Sequence, residues 1–183
     1  MKVLIVFFLS FFSLFLSQGR QDNADAIEVT AGFSENNEKY GTLSYTHIFN
    51  ESTWMARAGL LYKDQSFLYT GDQNIKLNFY GANIQAGYSI EALSPVILNF
   101  WAGIYGGYEI VNNNKNRDPY YRAPFPYGTK AIRYGVSLSP ELEINLGKTM
   151  SLVTSYTQYF SVNSKYIVRD YGIFLGLKFY LNN

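Results

Sequence analysis

The sequence of 183 residues contains no cysteine and only one histidine, His47. The absence of cysteine excludes disulfides, thiol catalysis, cysteine-based zinc sites and a lipoprotein anchor. A single histidine leaves almost no basis for a histidine metal site or a catalytic triad. We therefore expect no metal, no cofactor and no catalytic residue.

Charged residues are also scarce, at 16% of the chain, against roughly 25% in a soluble domain. The 15 Lys and Arg nearly balance the 14 Asp and Glu. We therefore expect no direct binding of nucleic acid, which needs a basic excess. Aromatic residues are abundant instead, at 18%, with 17 Tyr and 14 Phe.

The first nineteen residues have the layout of an export signal. Lys2 precedes a largely apolar run over 3–16, and Ser17-Gln18-Gly19 follows it. The run is shorter than the roughly 20 residues of a membrane-spanning helix, although an uncleaved anchor remains an alternative. We expect a signal peptide over 1–19 and a single barrel domain over 20–183.

The rest of the chain alternates apolar and polar residues with period two, in eight segments separated by turn signals. The predicted strands lie at about 26–34, 40–49, 54–63, 76–90, 96–110, 130–145, 150–160 and 170–181. The seventh is ambiguous, because Leu152, Tyr156 and Phe160 compete with Val153 and Tyr159 for its apolar face. This pattern predicts an all-β protein, a closed eight-stranded antiparallel up-and-down barrel.

The predicted connections alternate between short and long. The segments 50–53, 91–95 and 145–149 are short, 64–75, 111–129 and 161–169 are longer, and 35–39 is modest. Transmembrane barrels have short periplasmic turns and longer outer loops. The loop over 111–129 is rich in Asn, Pro and Tyr, so we expect an ordered lid or a contact surface there.

The composition of the two faces favours a membrane barrel over a soluble lipocalin-like barrel. A water-facing surface should be rich in Lys and Glu, whereas the polar face here is mostly small residues that suit a narrow lumen. Aromatics on the apolar face cluster near strand ends, as in membrane-interface girdles: Phe33, Phe49, Trp54, Tyr62, Tyr80, Tyr108, Tyr134, Tyr171 and Phe179. We expect a Gram-negative outer-membrane protein that contacts membrane lipids.

The topology also assigns depths to the charged residues of the polar face. Glu28, Arg57, Glu141, Glu143 and Lys178 fall near the inner ends of their strands, and Glu109, Arg133 and Lys63 near the outer ends. Both groups mix signs, which buried charges need. We predict two lumen networks that fill the barrel; the alternative is that some of these side chains point into water at the rims.

Catalysis has little support in the sequence. Lipid A deacylases use a His-x-Ser pair on the lipid-facing surface, but here Phe49 stands where the serine would be. His47 is expected to face lipid near the inner rim, with no carboxylate at an obvious spacing. Glu141 and Glu143 could suggest acid–base chemistry, yet two residues apart on one strand face they fit a lumen salt network equally well.

Several segments resemble the conjugative-transposon protein TraO family of Bacteroidetes, in short patches across most of 27–181. The patches are Ile27-Glu28-Val29-Thr30-Ala31-Gly32, Tyr45-Thr46-His47, Ala86-Gly87-Tyr88-Ser89, Leu98-Asn99-Phe100, Gly107-Tyr108-Glu109-Ile110-Val111-Asn112 and Gly176-Leu177-Lys178-Phe179. The chain departs from the family in its Tyr/Pro-rich loop at 111–129 and in its Asn182-Asn183 tail.

The resemblance implies a non-enzymatic envelope component of a conjugative DNA-transfer apparatus, with other conjugation subunits as partners. Two other functions stay open. One is a small adhesion or defence barrel of the OmpX type, which would act through its loop edges. The other is a lipid-modifying barrel enzyme dependent on His47.

Overall fold

The computed structural model describes residues 24–34, 38–49, 53–68, 73–93, 95–118, 122–125 and 128–181. The predicted export signal over 1–19 and the Asn182-Asn183 tail lie outside the described residues. Within the described ranges, no helix combines the length and the apolar character needed to cross a bilayer.

Eight strands form one antiparallel sheet: β1 (Asp25–Phe33), β2 (Lys39–Ile48), β3 (Trp54–Leu68), β4 (Asn74–Leu93), β5 (Val96–Val111), β6 (Lys130–Asn145), β7 (Met150–Ser161) and β8 (Arg169–Leu181). Each strand pairs with its neighbours in sequence, and β1 also pairs with β8, so the sheet closes on itself. Closure leaves no edge strand with unpaired backbone groups, which lipid requires. The predicted closed eight-stranded up-and-down barrel is confirmed.

The prediction of a long loop over 64–75 is wrong, because two strands occupy most of it. β3 continues to Leu68, β4 begins at Asn74, and these two residues pair. Alternation persists here with inverted polarity: Ile75 and Leu77 are buried, whereas Lys76 between them is exposed. We interpret the inversion as the level where the barrel leaves lipid, because water favours polar side chains outside. The prediction relied on apolar residues facing outward, and this feature ends at that level. The predicted third and fourth strands were therefore shorter than β3 and β4 at the loop end.

Strand β7, ambiguous in the sequence, has defined faces in the structure. Val153, Thr157 and Tyr159 are buried in the lumen, and Tyr156 is exposed on the outside. The register pairs β7 with β6 and β8 on both sides. The neighbours therefore fix which apolar residues point inward, which the alternation within β7 alone leaves undecided.

The two ends of the barrel differ. The strands that flank the short connections 49–53, 94–95 and 146–149 meet at one end, here called the short-turn end. The loop end carries L1 (34–38), L2 (69–73), L3 (112–129) and L4 (162–168). L3 begins with a 3₁₀ turn at Asn112–Asn114, whose three asparagines have φ of 49°, 51° and 64°, a region that asparagine tolerates better than most residues. An isolated bridge then joins Arg117 to Pro124.

Candidate functional site

The outer surface of the barrel is a belt of exposed aliphatic side chains. Leu60 and Ile84 are 63% exposed and Ile104 is 62% exposed. A contiguous apolar surface of this kind is unfavourable in water and suits contact with acyl chains.

Aromatic rings lie at both ends of this belt. At the short-turn end Trp54 contacts Tyr88 edge to face, with ring centroids 5.4 Å apart. At the loop end Tyr62 lies 5.1 Å from Tyr80. The structure places the predicted interface residues Trp54, Tyr62, Tyr80, Tyr108, Tyr134 and Phe179 on the exposed outside, and Tyr171 stacks there on Tyr156 at 5.6 Å. Amphipathic rings at these two levels suit the two membrane–water interfaces.

Charged side chains from four strands meet inside the barrel near the short-turn end. Arg57 Nη1 donates to Glu28 Oε1 and to Glu141 Oε2, each at 2.8 Å. Lys178 Nζ donates to Glu143 Oε2 at 2.6 Å and to Glu141 Oε1 at 3.2 Å. All five side chains are buried. Three carboxylates and two cations therefore share one network, the short-turn network, in which every carboxylate contacts a cation and the ionised groups sum to a net charge of −1.

Neutral residues that the sequence analysis missed complete this network. Asn99 Nδ2 donates to both Glu141 and Glu143 at 3.0 Å, and the Tyr180 hydroxyl donates to Glu143. Gln85 Oε1 accepts from Arg57 Nε at 3.1 Å. Asn99, Tyr180 and Gln85 occupy the alternate positions of their strands that face the lumen. This alternation in the sequence could have identified them. Each added bond reduces the cost of burying charge.

Trp101 packs beneath the same network, and a glycine makes room for it. The Arg57 guanidinium lies 3.9 Å from the centre of the Trp101 ring, which is within cation–π range. A Cβ at Gly87 would lie only 2.4 Å from that ring. Gly87 therefore lets a large aromatic side chain lie flat in a narrow lumen.

A second set of charges, the loop-end network, lies nearer the other end. Lys63 Nζ donates to Asp170 Oδ2 at 2.8 Å, and Arg133 Nη2 donates to Asp170 Oδ1 at 3.1 Å. Arg133 also lies 3.6 Å from Glu109. The structure thus brings Lys63, Arg133 and Glu109 around Asp170, which the sequence analysis missed. Two cations and two carboxylates balance here.

Neutral and aromatic side chains surround the loop-end network. Gln65 Nε2 donates to Asp170 at 2.8 Å, and Gln65 Oε1 accepts from Arg133 at 3.0 Å. Lys63 Nζ lies 3.1 Å from the centre of the Tyr159 ring and 5.0 Å from that of Tyr105. These contacts replace part of the hydration that buried Lys63 loses.

An apolar cluster covers the loop-end network and includes part of L3. Leu77, Phe79 and Val111 pack there with Phe125 from the loop, and all four are buried. The Tyr166 hydroxyl of L4 donates to the Gly128 carbonyl of L3 at 2.9 Å. Phe125 thus attaches the described part of L3 to the barrel, and the expected lid or contact surface over 111–129 stays a prediction.

Little space remains between the two networks. The cavity lined there by Glu28, Asn83 and Thr157 has a volume of about 20 Å³. That volume holds roughly one water molecule. At this level of the barrel the described side chains therefore leave less than the width of an aqueous channel.

His47 has a carboxylate partner, Asp25, which no obvious spacing along the sequence indicates. Its Nδ1 lies 2.8 Å from Asp25 Oδ1, because the β1–β2 register places these residues directly opposite each other. The pairing joins residues 22 positions apart, which spacing along the chain does not reveal. Phe49 packs edge to face on the His47 ring at 5.0 Å, in the place where a His-x-Ser pair has its hydroxyl.

The remaining candidate chemistry is metal binding or acid–base catalysis by Glu141 and Glu143. Within it, no group of three or more His, Cys, Asp or Glu side chains is arranged to hold a metal ion. The paired Glu141 and Glu143 are bound to Arg57 and Lys178, as described above. Their oxygens are therefore used in the short-turn network.

The fold is that of small eight-stranded outer-membrane barrels. It is similar to the outer membrane protein OprG from Pseudomonas aeruginosa, with a TM-score of 0.60 and 7% identity over 90% of this chain and 99% of that chain. It is also similar to the N-terminal β-barrel domain of Pseudomonas aeruginosa OprF, with a TM-score of 0.57 and 14% identity over 90% of this chain and 100% of that chain.

A third similar structure is Ail, the attachment invasion locus protein of Yersinia pestis, with a TM-score of 0.51 and 15% identity over 88% of this chain and 99% of that chain. Identities this low establish a shared fold alone. No protein-family model matches the sequence. No curated protein matches it either.

Proposed function

We propose that this protein is a non-enzymatic outer-membrane barrel that acts through its outer surfaces, not through its lumen. The observation that carries this proposal is the filled interior, with two buried charge networks and a cavity of about 20 Å³ between them. A barrel whose described interior is occupied by side chains offers its loops and rims to partners. The exposed aliphatic belt supports a location in lipid.

Cell fractionation and detergent dependence test the membrane location. We expect the full chain to sediment with outer membranes and to need detergent for extraction. A leaderless chain that dissolves in plain buffer and keeps its far-UV circular dichroism spectrum would refute the membrane barrel. That result would favour the soluble lipocalin-like alternative instead.

For the finer function, we infer an envelope component of a conjugative DNA-transfer apparatus. The patchwise resemblance to TraO supports this role, in which other conjugation subunits bind the loops or the short-turn rim. A clean deletion should abolish transfer of the element while leaving envelope integrity unchanged, and complementation should restore transfer. Normal transfer by the deletion strain would refute the role.

The second candidate is a surface barrel of the OmpX type in adhesion or defence. The fold similarity to Ail favours it, because that protein is described as an attachment invasion locus protein and its structure includes a complex with a heparin analogue. Deletion would then reduce surface binding or serum resistance without affecting DNA transfer. Both assays on one deletion strain separate the two candidates.

A further inference from the structure

The outer surface formed by L3 and L4 is strongly basic. Six exposed cationic side chains lie in these loops or at the first residues of the strands that follow them, and together they define the L3–L4 basic face: Lys115, Arg117, Arg122, Lys130, Lys165 and Arg169. Over 110–130 and 161–169 the sequence contains a single acid, Asp118, which is only 2% exposed. The nearest strand acids, Glu109 and Asp170, belong to the buried loop-end network. No exposed carboxylate within these segments offsets the six positive charges.

Hydrogen bonds join L3 and L4 into one surface. Tyr166 donates to the Gly128 carbonyl across the two loops at 2.9 Å. Asn163 of L4 accepts from the Tyr134 backbone N–H at 2.9 Å and donates to the Ile132 carbonyl at 2.7 Å. L4 is thereby attached to strand β6, which carries Lys130. The cations of the two loops consequently lie on one side of the barrel mouth.

On the opposite half of the loop end, the exposed lysines have acidic residues nearby in the strand pairing. Lys39 pairs in register with Asp64 on β3 and follows Glu38 directly in sequence. Lys76 pairs with Ser66, whose N–H donates to Glu38 Oε1 at 3.2 Å. Each lysine therefore has an acidic residue nearby, Asp64 opposite Lys39 and Glu38 bound to the partner of Lys76, whereas the L3–L4 segments have no exposed acid. This half provides a matched control within the same protein.

The height of the basic face relative to the aromatic belt indicates its partner. Arg169 precedes the interface residue Tyr171 by two residues, and Lys130 precedes Tyr134 by four, which is about 7 and 13 Å along a strand. The Arg169 guanidinium also lies 5.9 Å from the ring centre of Phe160, its register partner on β7. These two cations lie at the level of lipid headgroups just above the belt. Phosphate groups are the anions that arginine and lysine bind best at such a surface.

We propose that the L3–L4 basic face binds the phosphorylated saccharide headgroups of the outer leaflet, so that the barrel carries lipid on one side of its mouth. This inference rests on the proposed function, because it needs the loop end to face the cell exterior. It deepens that function by naming a ligand for the loop surface. Lipid held there would orient the barrel around its axis relative to its partners.

The test uses the full barrel refolded in zwitterionic micelles, with lipid A bearing two phosphates as the probe. We compare the double variant Lys130→Gln/Arg169→Gln with the control Lys39→Gln/Lys76→Gln, because both remove two cations from the same rim. Because each cation near an anionic surface contributes modestly, we expect the first pair to weaken binding by about tenfold and the control pair by about twofold or less. Binding should also weaken as salt is raised.

Three results would overturn the inference. Equal binding of lipid A whose phosphates have been removed would show that acyl chains, not headgroups, are bound. An equal loss in the control pair would show that the L3–L4 face has no special role. Tighter binding of a duplex DNA oligonucleotide than of lipid A would assign the face to nucleic acid.

Protease treatment of intact cells distinguishes failure of the headgroup-binding inference from failure of the proposed outer-membrane function. Cleavage within L3 from outside, combined with no lipid A binding, would remove the headgroup site and leave the outer-membrane barrel in place. Protection of L3 in intact cells together with its cleavage from the periplasm would overturn both.

Discussion

Replacing Arg57 with methionine tests whether the short-turn network stabilises the barrel as a unit. Arg57 links Glu28 to Glu141 with two contacts of 2.8 Å, and its guanidinium covers Trp101. Methionine keeps most of the side-chain volume and removes the charge. Lys178 would then face three buried carboxylates alone.

The expected cost follows from the burial of these carboxylates. Removing one partner of a buried ion pair typically costs about 3–5 kcal/mol of unfolding free energy, because the other charge stays desolvated. Glu28→Gln should behave differently. The amide oxygen can still accept from Arg57, and the variant removes the unbalanced negative charge, so we expect a change within about 1 kcal/mol.

Urea unfolding of the refolded barrel, followed by far-UV circular dichroism, measures both variants. The exposed Lys39→Met change is the control and should shift the unfolding free energy by less than about 0.5 kcal/mol. A loss below about 1 kcal/mol for Arg57→Met would refute the view that the network is coupled. A loss in Glu28→Gln equal to that in Arg57→Met would refute the charge balance described here.

Three further predictions concern packing, the L3 anchor and catalysis. Gly87→Ala puts a methyl group 2.4 Å from the Trp101 ring, so the free energy of unfolding in urea should fall by about 1–3 kcal/mol. Gly41→Ala is the control, because no atom lies within 4 Å of its new Cβ, and it should leave that free energy unchanged. Equal losses in the two variants would contradict the packing of Trp101 against Gly87. Phe125→Ala should speed protease cleavage of L3 by about tenfold and leave the barrel's unfolding midpoint unchanged, and unaltered cleavage would show that Phe125 is no anchor. His47→Ala should leave the lipid A composition of the cell unchanged by mass spectrometry, since a change would revive the enzyme alternative.

The alternating pattern was sufficient to predict the number of strands and their lipid-facing parts, because barrel geometry repeats every two residues and lipid tolerates only apolar side chains outside. Within β6 this rule separates Val136 and Leu138 on the outside from Ser137 and Ser139 in the lumen, as the structure shows. The same rule fails above the membrane, where Ile75 and Leu77 turn inward under polar neighbours. There water replaces lipid around the barrel, so apolar side chains are more stable inside it than on its outer surface.

Partner choice inside the barrel depends on strand register and tilt, which act across the lumen between residues far apart in sequence. Lys63 and Asp170 lie 107 positions apart, and no local feature of either strand joins them. Asp25 reaches His47 only because β1 and β2 pair in one register out of several that alternation permits.

The amino-acid sequence by itself determined the number and order of the strands, the two faces of every strand but β7 within the predicted bounds, and the sign-mixed charges of the polar face, because these follow from local periodicity and composition. The tertiary structure alone decided which charges meet, that aromatic rings such as Trp101 and Tyr159 occupy the lumen, and that Phe125 anchors L3 at the barrel mouth. Those outcomes depend on closure of the sheet, because closure lets inward side chains from strands far apart in sequence meet inside the barrel.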